Sequence, residues 1–216
     1  MGHIQILEAS RERARRQYLG TAIEFIRGLG VPVLIETCDR LPSVKTFFKG
    51  VWLSPEGVHL IPGIADIGEF LHEAGHWALI LPEHRQFLTP GDLTIHTCLT
   101  DFGVEAWNVA AADAAGIPRL AVFANPNSFN GAGFIVYEQF DARNHPGIDL
   151  LEISGMSDTF PNMLTWFPTE RAIRISHIIY NEPVEAIPML IQWGLCLDYD
   201  DDPEVDRNER ATAATA

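Results

Sequence analysis

One short motif constrains this chain more than any other feature, because it places two imidazoles and a carboxylate within little more than a helical turn. Residues 72 to 76 read His-Glu-Ala-Gly-His, which matches the pattern His-Glu-x-x-His. Four residues advance an α-helix by slightly more than one turn, so His72 and His76 project from the same face. Two imidazoles held in this way supply half of a tetrahedral zinc site, and Glu73 lies beside them. The motif therefore predicts a zinc centre with His72 and His76 as ligands and Glu73 as the general base.

The residues around the motif have the spacing of a buried helix. Apolar side chains recur at helical intervals between residues 64 and 80, at Ile64, Ile67, Leu71, Ala74 and Ala78. Pro62 and Gly63 break the preceding segment, and Pro82 stops the helix. Polar groups in so apolar a helix need partners, and metal coordination satisfies all three side chains at once. The alternative interpretation is two interior histidines, each hydrogen-bonded to the backbone or to a carboxylate.

The composition predicts one globular domain followed by a tail. The 216 residues are 47% hydrophobic, which is enough to bury a sizeable core. We expect this domain to span residues 1–197, because the sequence after it, DYDDDPEVDRNERATAATA, has almost no apolar anchor. Residues 198–216 are accordingly expected to form an acidic, disordered tail.

Charge, hydropathy and cysteine usage exclude several classes of function. The formal net charge of −14 repels phosphate backbones, so nucleic-acid binding is not expected. No apolar stretch approaches membrane-spanning length and no signal-peptide pattern begins the chain, so we expect no membrane partner. The three cysteines are odd in number and far apart, which favours a reducing cytoplasm over a disulfide framework or a cysteine zinc site.

Periodicity and breaker residues predict an α+β fold. The predicted helices are residues 4–28, the motif helix and residues 101–115. The predicted strands are residues 31–37, 47–53, 58–61 and 133–139, the second and third joined by a hairpin turn. Residues 119–170 are otherwise expected to be loop-rich, and residues 171–180 and 183–195 are left open between helix and strand. We expect a small, mostly antiparallel sheet packed on the motif helix and on the helix over residues 101–115.

A catalytic zinc needs a third protein ligand, and spacing alone leaves its identity open. His84 lies two residues late for the third histidine of a metzincin and follows the helix-breaking Pro82, so that type is rejected. Glu105 is favoured, because 28 residues (77 to 104) separate it from His76, enough to lay a second helix across the first. The other candidates are Asp101, one turn earlier on the same face, His96 and Asp149.

The two helices together resemble a known family. The segment HEAGHW, followed by a helix carrying Glu-Ala-x-Asn-x-x-Ala-Ala from Glu105, resembles the glutamate-type zincins (gluzincins). It is especially similar to the small ImmA/IrrE-like and mobile-element-borne zincin proteins, over roughly residues 47 to 118. The resemblance implies a zincin-like α+β fold, one Zn²⁺ ligated by His72, His76 and Glu105, and Glu73 as the base.

These residues predict a cytoplasmic zinc metallopeptidase that hydrolyses peptide bonds in a peptide or protein substrate. Zinc lowers the pKa of its bound water and polarises the scissile carbonyl. Glu73 then takes the proton of the water and passes it to the leaving amine. The candidate donors for the developing oxyanion are Tyr137, Arg143, His145, His177 and Tyr180.

Two other functions are compatible with the same residues. The chain can be a mobile-element regulatory or anti-restriction-type interaction protein, in which the metal is structural and the acidic surface occupies a partner. It can also be a zincin-like hydrolase whose substrate is not a peptide, because a fold does not determine a function.

Overall fold

The computed structural model describes residues 2–43, 46–90, 97–123 and 133–181, in which helices and short strands form an α+β fold. The helices are α1 Gly2–Gly28, α2 Ile67–Leu79, α3 Pro82–Arg85, α4 Thr100–Ala114, α5 Arg119–Val122, α6 Gly133–Asp141, α7 Pro146–Ile153 and α8 Glu170–Asn181. The strands are β1 Val33–Ile35, β2 Val51–Ser54, β3 Gly57–Leu60, β4 Ser157–Thr159 and β5 Asn162–Met163.

The α+β class is confirmed, and several of the predicted elements are present. Helices α1, α2 and α4 lie where the periodicity predicts them, and the segment left open at residues 171–180 is helical, within α8. The segment 183–195 and the predicted tail, 198–216, lie outside the described residues. Among the residues that the structure describes, no helix has both the length and the hydropathy needed to cross a membrane.

The larger sheet contains three strands in the order β1, β3, β2. Strands β2 and β3 form the predicted antiparallel hairpin, with Ser54 opposite Gly57, whereas β1 runs parallel to β3, with Val33 opposite Val58. The sheet is therefore mixed rather than mostly antiparallel. The reason is the path of the chain: it leaves β1 for the far edge of the sheet, so β3 returns between the two earlier strands.

Helix α2 lies between this sheet and α4. It begins with a capping box, in which Asp66 accepts the backbone N–H of Glu69 and the Glu69 carboxylate accepts the backbone N–H of Asp66 at 3.4 Å. Its apolar face, which includes Leu71, Ala74 and Ala78, is fully buried. The helix packs against β2 and β3 on one side and against α1, α4 and α5 elsewhere. The motif histidines are thus held on a helix that the core surrounds.

Small residues allow α4 and α5 to approach α2 closely. A Cβ atom at Gly75 would lie 3.1 Å from side-chain atoms of both Trp107 and Val104 on α4. A Cβ atom at Gly68 would overlap with the backbone carbonyl oxygen of Val122 on α5. Trp107 is itself completely buried. The backbone of α2 therefore lies directly against its neighbours along the same face.

The predicted strand over residues 133–139 is wrong, because this segment is part of the helix α6. Val136 and Phe140 are buried four residues apart, whereas Ile135 is exposed, which is the one-sided pattern of a helix. A continuous apolar run does not distinguish a buried strand from a helix by periodicity. Residues 119–170 also contain α5, α7 and the β4–β5 hairpin, so the region is not loop-rich as expected.

Candidate metal centre

Three side chains bring potential ligand atoms together where α2 meets α4. The Nε2 atoms of His72 and His76 lie 2.9 Å apart, and Asp101 Oδ1 lies 3.5 Å from His76 Nε2. All three ligand atoms lie within 4.8 Å of one another. Ligand atoms about 2 Å from a tetrahedral zinc ion lie roughly 3.3 Å apart, a value between the distances from His76 Nε2 to His72 Nε2 and to Asp101 Oδ1.

Burial keeps both imidazoles neutral. The pKa of His72 lies well below its usual value because of burial first and the neighbouring His76 second. Burial also lowers the pKa of His76, and the nearby Asp101 carboxylate opposes this shift only in part. Within the described part of the chain, the buried Nδ1 of His76 has no hydrogen-bond partner. Neutral rings present lone pairs to a metal ion, which is the state that coordination requires.

Glu73, between the two histidines in sequence, is a buried carboxyl group with an unusual pKa. Burial, followed by the negative charges of Asp101 and Glu69, raises the pKa of Glu73 to about 8. A bound divalent cation would act in the opposite direction and favour the carboxylate. Beside a bound cation Glu73 would therefore be a carboxylate, which can accept a proton from water as a general base must.

Glu105, the favoured third ligand, does not join the two imidazoles. Its Oε2 atom lies 2.9 Å from Nε2 of His145. The Nδ1 atom of His145 accepts the backbone N–H of Gly147 at 3.2 Å, so the ring proton lies on Nε2 and is donated to Glu105. The structure thus places the alternative candidate, Asp101, with the histidines. The ligand role of Glu105 stays a prediction.

The other sequence candidates lie in different surroundings. Arg143 donates to the carbonyl oxygen of Phe160 at 2.8 Å, and the ring of Tyr137 lies edge-on to Phe123 at 6.0 Å. Asp149 is exposed on α7. His96 and the side chains of His177 and Tyr180 lie outside the described residues. Arg143, Tyr137 and His145 are therefore anchored around α6 and α7, and none is assigned as an oxyanion donor.

Aromatic side chains beside the metal group were not predicted as functional residues. The ring of Phe48 lies edge-on to His72 at 5.5 Å, and the ring of Phe47 lies edge-on to Phe48 at 4.7 Å. On α4, the exposed Phe102 directly follows Asp101 in the chain. The sequence did contain a signal for these residues, namely two adjacent phenylalanines at 47 and 48. Because both were included in the predicted strand over residues 47–53, they were not considered as functional residues.

A second histidine network lies on the β2–β3 hairpin. His59 places Nδ1 2.9 Å from Glu36 Oε1 and Nε2 2.8 Å from Ser54 Oγ, and its ring stacks on Trp52. Ser54 Oγ also accepts the backbone N–H of Glu56 at 3.1 Å, and the Glu56 carboxylate lies 3.2 Å from it. We interpret this network as structural, because its hydrogen bonds connect the β2–β3 hairpin with Glu36 at the end of β1.

Comparison of the chain with protein-family models, with curated proteins and with solved structures gives no match. The residues of α2 and α4 and the distances between them are therefore the features that bear on function.

Proposed function

We propose that this protein is a zinc-dependent metallopeptidase with a zincin-like site, acting on a peptide or protein substrate in the cytoplasm. The observation that carries the proposal is the convergence of two imidazole nitrogens and one carboxylate oxygen within 4.8 Å on α2 and α4. The buried Glu73 follows the first of these imidazoles directly in the chain. Two neutral imidazoles and a carboxylate are a common ligand set of catalytic zinc, which keeps a further position for water.

Each residue of the site has a defined part in peptide hydrolysis. His72 and His76 would hold the ion through Nε2, and Asp101 would complete the protein ligands from α4. When bound, zinc supplies a Lewis acid and a water molecule of lowered pKa. Glu73 would accept a proton from the attacking water as the new C–O bond forms, and would pass it to the amine nitrogen as the C–N bond breaks.

A substitution that preserves shape but removes the base tests this function. Glu73→Gln and the unaltered protein are both expected to bind one zinc per chain, and Glu73→Gln is expected to cleave peptides roughly 10²- to 10⁴-fold more slowly. His72→Ala is expected to lose both zinc and cleavage. Metal analysis of the purified proteins and hydrolysis of a quenched fluorescent peptide mixture measure the two properties.

The matched control for this experiment is Glu138→Gln, because Glu138 is exposed on α6 and the change in chemistry is the same. This variant should retain full activity. Cleavage by Glu73→Gln at the unaltered rate contradicts the base role. If the unaltered protein contains no metal, and added zinc neither binds nor increases peptide cleavage, the proposed function as a whole is contradicted.

The acidic surface supports a second candidate function, a mobile-element regulatory or anti-restriction-type interaction protein with a structural metal. The net charge of −14 is the observation that favours it. Under this function Glu73→Gln leaves the biological activity intact, whereas reversing charges in residues 198–206 abolishes it. Hydrolysis of small esters or amides without cleavage of any protein would instead indicate a hydrolase of another substrate class.

A further inference from the structure

A pair of phenylalanine rings leads from the protein surface to the metal group. Phe47 is 58% exposed, its ring meets Phe48 at 4.7 Å, and Phe48 meets His72 at 5.5 Å, both edge-on. The backbone holds this pair in place, because Phe48 pairs with Val51 in an isolated antiparallel bridge and its carbonyl oxygen accepts the hydroxyl of Thr46 at 2.7 Å. The rings therefore form an ordered apolar wall beside His72.

Exposed aromatic surface also lies on the other element of the site. Phe102, the residue after Asp101, is 42% exposed, and its ring lies edge-on to His145 at 5.9 Å. Apolar rings are normally withdrawn from water, and those left exposed beside a functional group commonly mark a surface that contacts a ligand. A further exposed ring thus lies on α4, the helix that carries Asp101.

We infer that Phe47 and Phe48 form the wall of a subsite that binds an apolar, preferentially aromatic, substrate side chain next to the scissile bond. This inference rests on the proposed peptidase function. A scissile carbonyl placed at the metal group has neighbouring Cα atoms within about 4 Å of it, since consecutive Cα atoms lie 3.8 Å apart. One neighbouring side chain of the substrate then reaches the ring of Phe48, which adjoins His72.

The charges around the site select against acidic occupants of this subsite. Asp101 lies at the metal group, with Oδ1 3.5 Å from His76 Nε2, and the buried Glu73 directly follows His72 in the chain. A substrate carboxylate at the aromatic wall would meet no countercharge from the rings and would be repelled by the net charge of −14. An uncharged, apolar side chain gains contact with the rings without this repulsion.

A matched set of peptides tests the inference. Quenched fluorescent peptides would differ only in the residue on one side of the scissile bond, which is alanine, leucine, phenylalanine or glutamate. We expect kcat/KM for the phenylalanine peptide to exceed that for the alanine peptide by about tenfold or more, with the glutamate peptide the poorest. Phe47→Ala should reduce the phenylalanine-to-alanine ratio severalfold, mainly through KM, with one zinc still bound. Phe47→Leu should restore most of the ratio.

Phe87→Ala is the control, because Phe87 is a highly exposed phenylalanine in the turn after α3. It should leave the ratio unchanged. Unaltered protein that cleaves all four peptides equally, or a Phe47→Ala variant that keeps the full ratio, overturns the inference and leaves the peptidase function standing. Unaltered protein that cleaves no peptide overturns the proposed function instead, so the two failures are distinguishable.

Discussion

At the scale of residues, Asp101 and Glu105 lie one turn apart on α4 in very different surroundings. The Asp101 side chain is 78% exposed and its carboxylate lies 3.5 Å from His76 Nε2, whereas the Glu105 side chain is 15% exposed and bonded to buried His145. To bind a metal ion, Glu105 would have to give up a hydrogen bond and leave a buried N–H without an acceptor. The exposed Asp101 would give up only its contacts with water in exchange for the ion. We therefore favour Asp101 as the third ligand.

Paired amide substitutions separate these two carboxylates. Asp101→Asn is expected to weaken zinc binding by more than the roughly 10- to 100-fold typical of residues that only support a ligand. Glu105→Gln should weaken it less, because its partner is His145 rather than the ion. Competition titration against a fluorescent zinc chelator measures both affinities. A larger loss in Glu105→Gln would show that Glu105 moves to the metal and is the ligand.

The two described cysteines are expected to differ in reactivity. Cys98 is buried, which raises the pKa of its thiol to about 11, whereas Cys38 is exposed. At pH 8 only about one thiol in a thousand with such a pKa is the reactive thiolate, and burial blocks access as well. Iodoacetamide at pH 8 should thus label Cys38 readily and Cys98 only in denaturant, as read by peptide mass spectrometry. Equal labelling of both in the native protein would contradict the burial of Cys98.

At the scale of elements, the packing of α7 against α4 depends on a residue without a side chain. A Cβ atom at Gly147 would overlap with the backbone carbonyl oxygen of Phe102 on α4. Gly147→Ala is therefore expected to destabilise the fold by about 1–3 kcal/mol, because a backbone atom cannot move aside as a flexible side chain does. Urea unfolding followed by circular dichroism measures the change.

Gly20→Ala is the control for this substitution. A Cβ atom at Gly20 would meet nothing within 4 Å, and the residue lies inside α1. Since alanine favours a helix over glycine, this variant should be more stable by up to about 1 kcal/mol. Equal effects of the two substitutions would show that the α4–α7 contact is looser than described.

The elements also show what can be predicted from this sequence. Helix α2 was predictable, because its apolar spacing and flanking breakers are local signals. The direction of β1 relative to β3 was not predictable, because it depends on how the chain crosses to the far edge of the sheet. The choice between Asp101 and Glu105 depended on His145, a partner 40 residues beyond Glu105 that no spacing rule indicates.

At the scale of the whole molecule, the metal group joins two elements that are distant in sequence. A ligand that binds only the folded chain stabilises it, by about 2.7 kcal/mol at a concentration of 100 times Kd. For a chain of this size that corresponds to a rise in Tm of roughly 5–10 °C. Thermal unfolding after chelation and after zinc is restored should show this shift.

His76→Ala is the control for the thermal experiment, because it removes the imidazole that lies closest to Asp101. Its Tm should not respond to zinc, and magnesium should shift neither protein. Unaltered protein with the same Tm in chelator and in zinc would contradict a metal link between α2 and α4.

The close approach of α4 to α2 at Gly75 also bears on when the site becomes competent. The unfolded chain offers two imidazoles from one segment, and the carboxylate arrives only when the helices dock. In a peptidase, the separation of the ligands between two distant segments delays catalytic competence until both segments are synthesised and packed together in the core. A nascent or partly degraded chain of such a peptidase would lack the third ligand and would be expected to leave neighbouring proteins uncleaved.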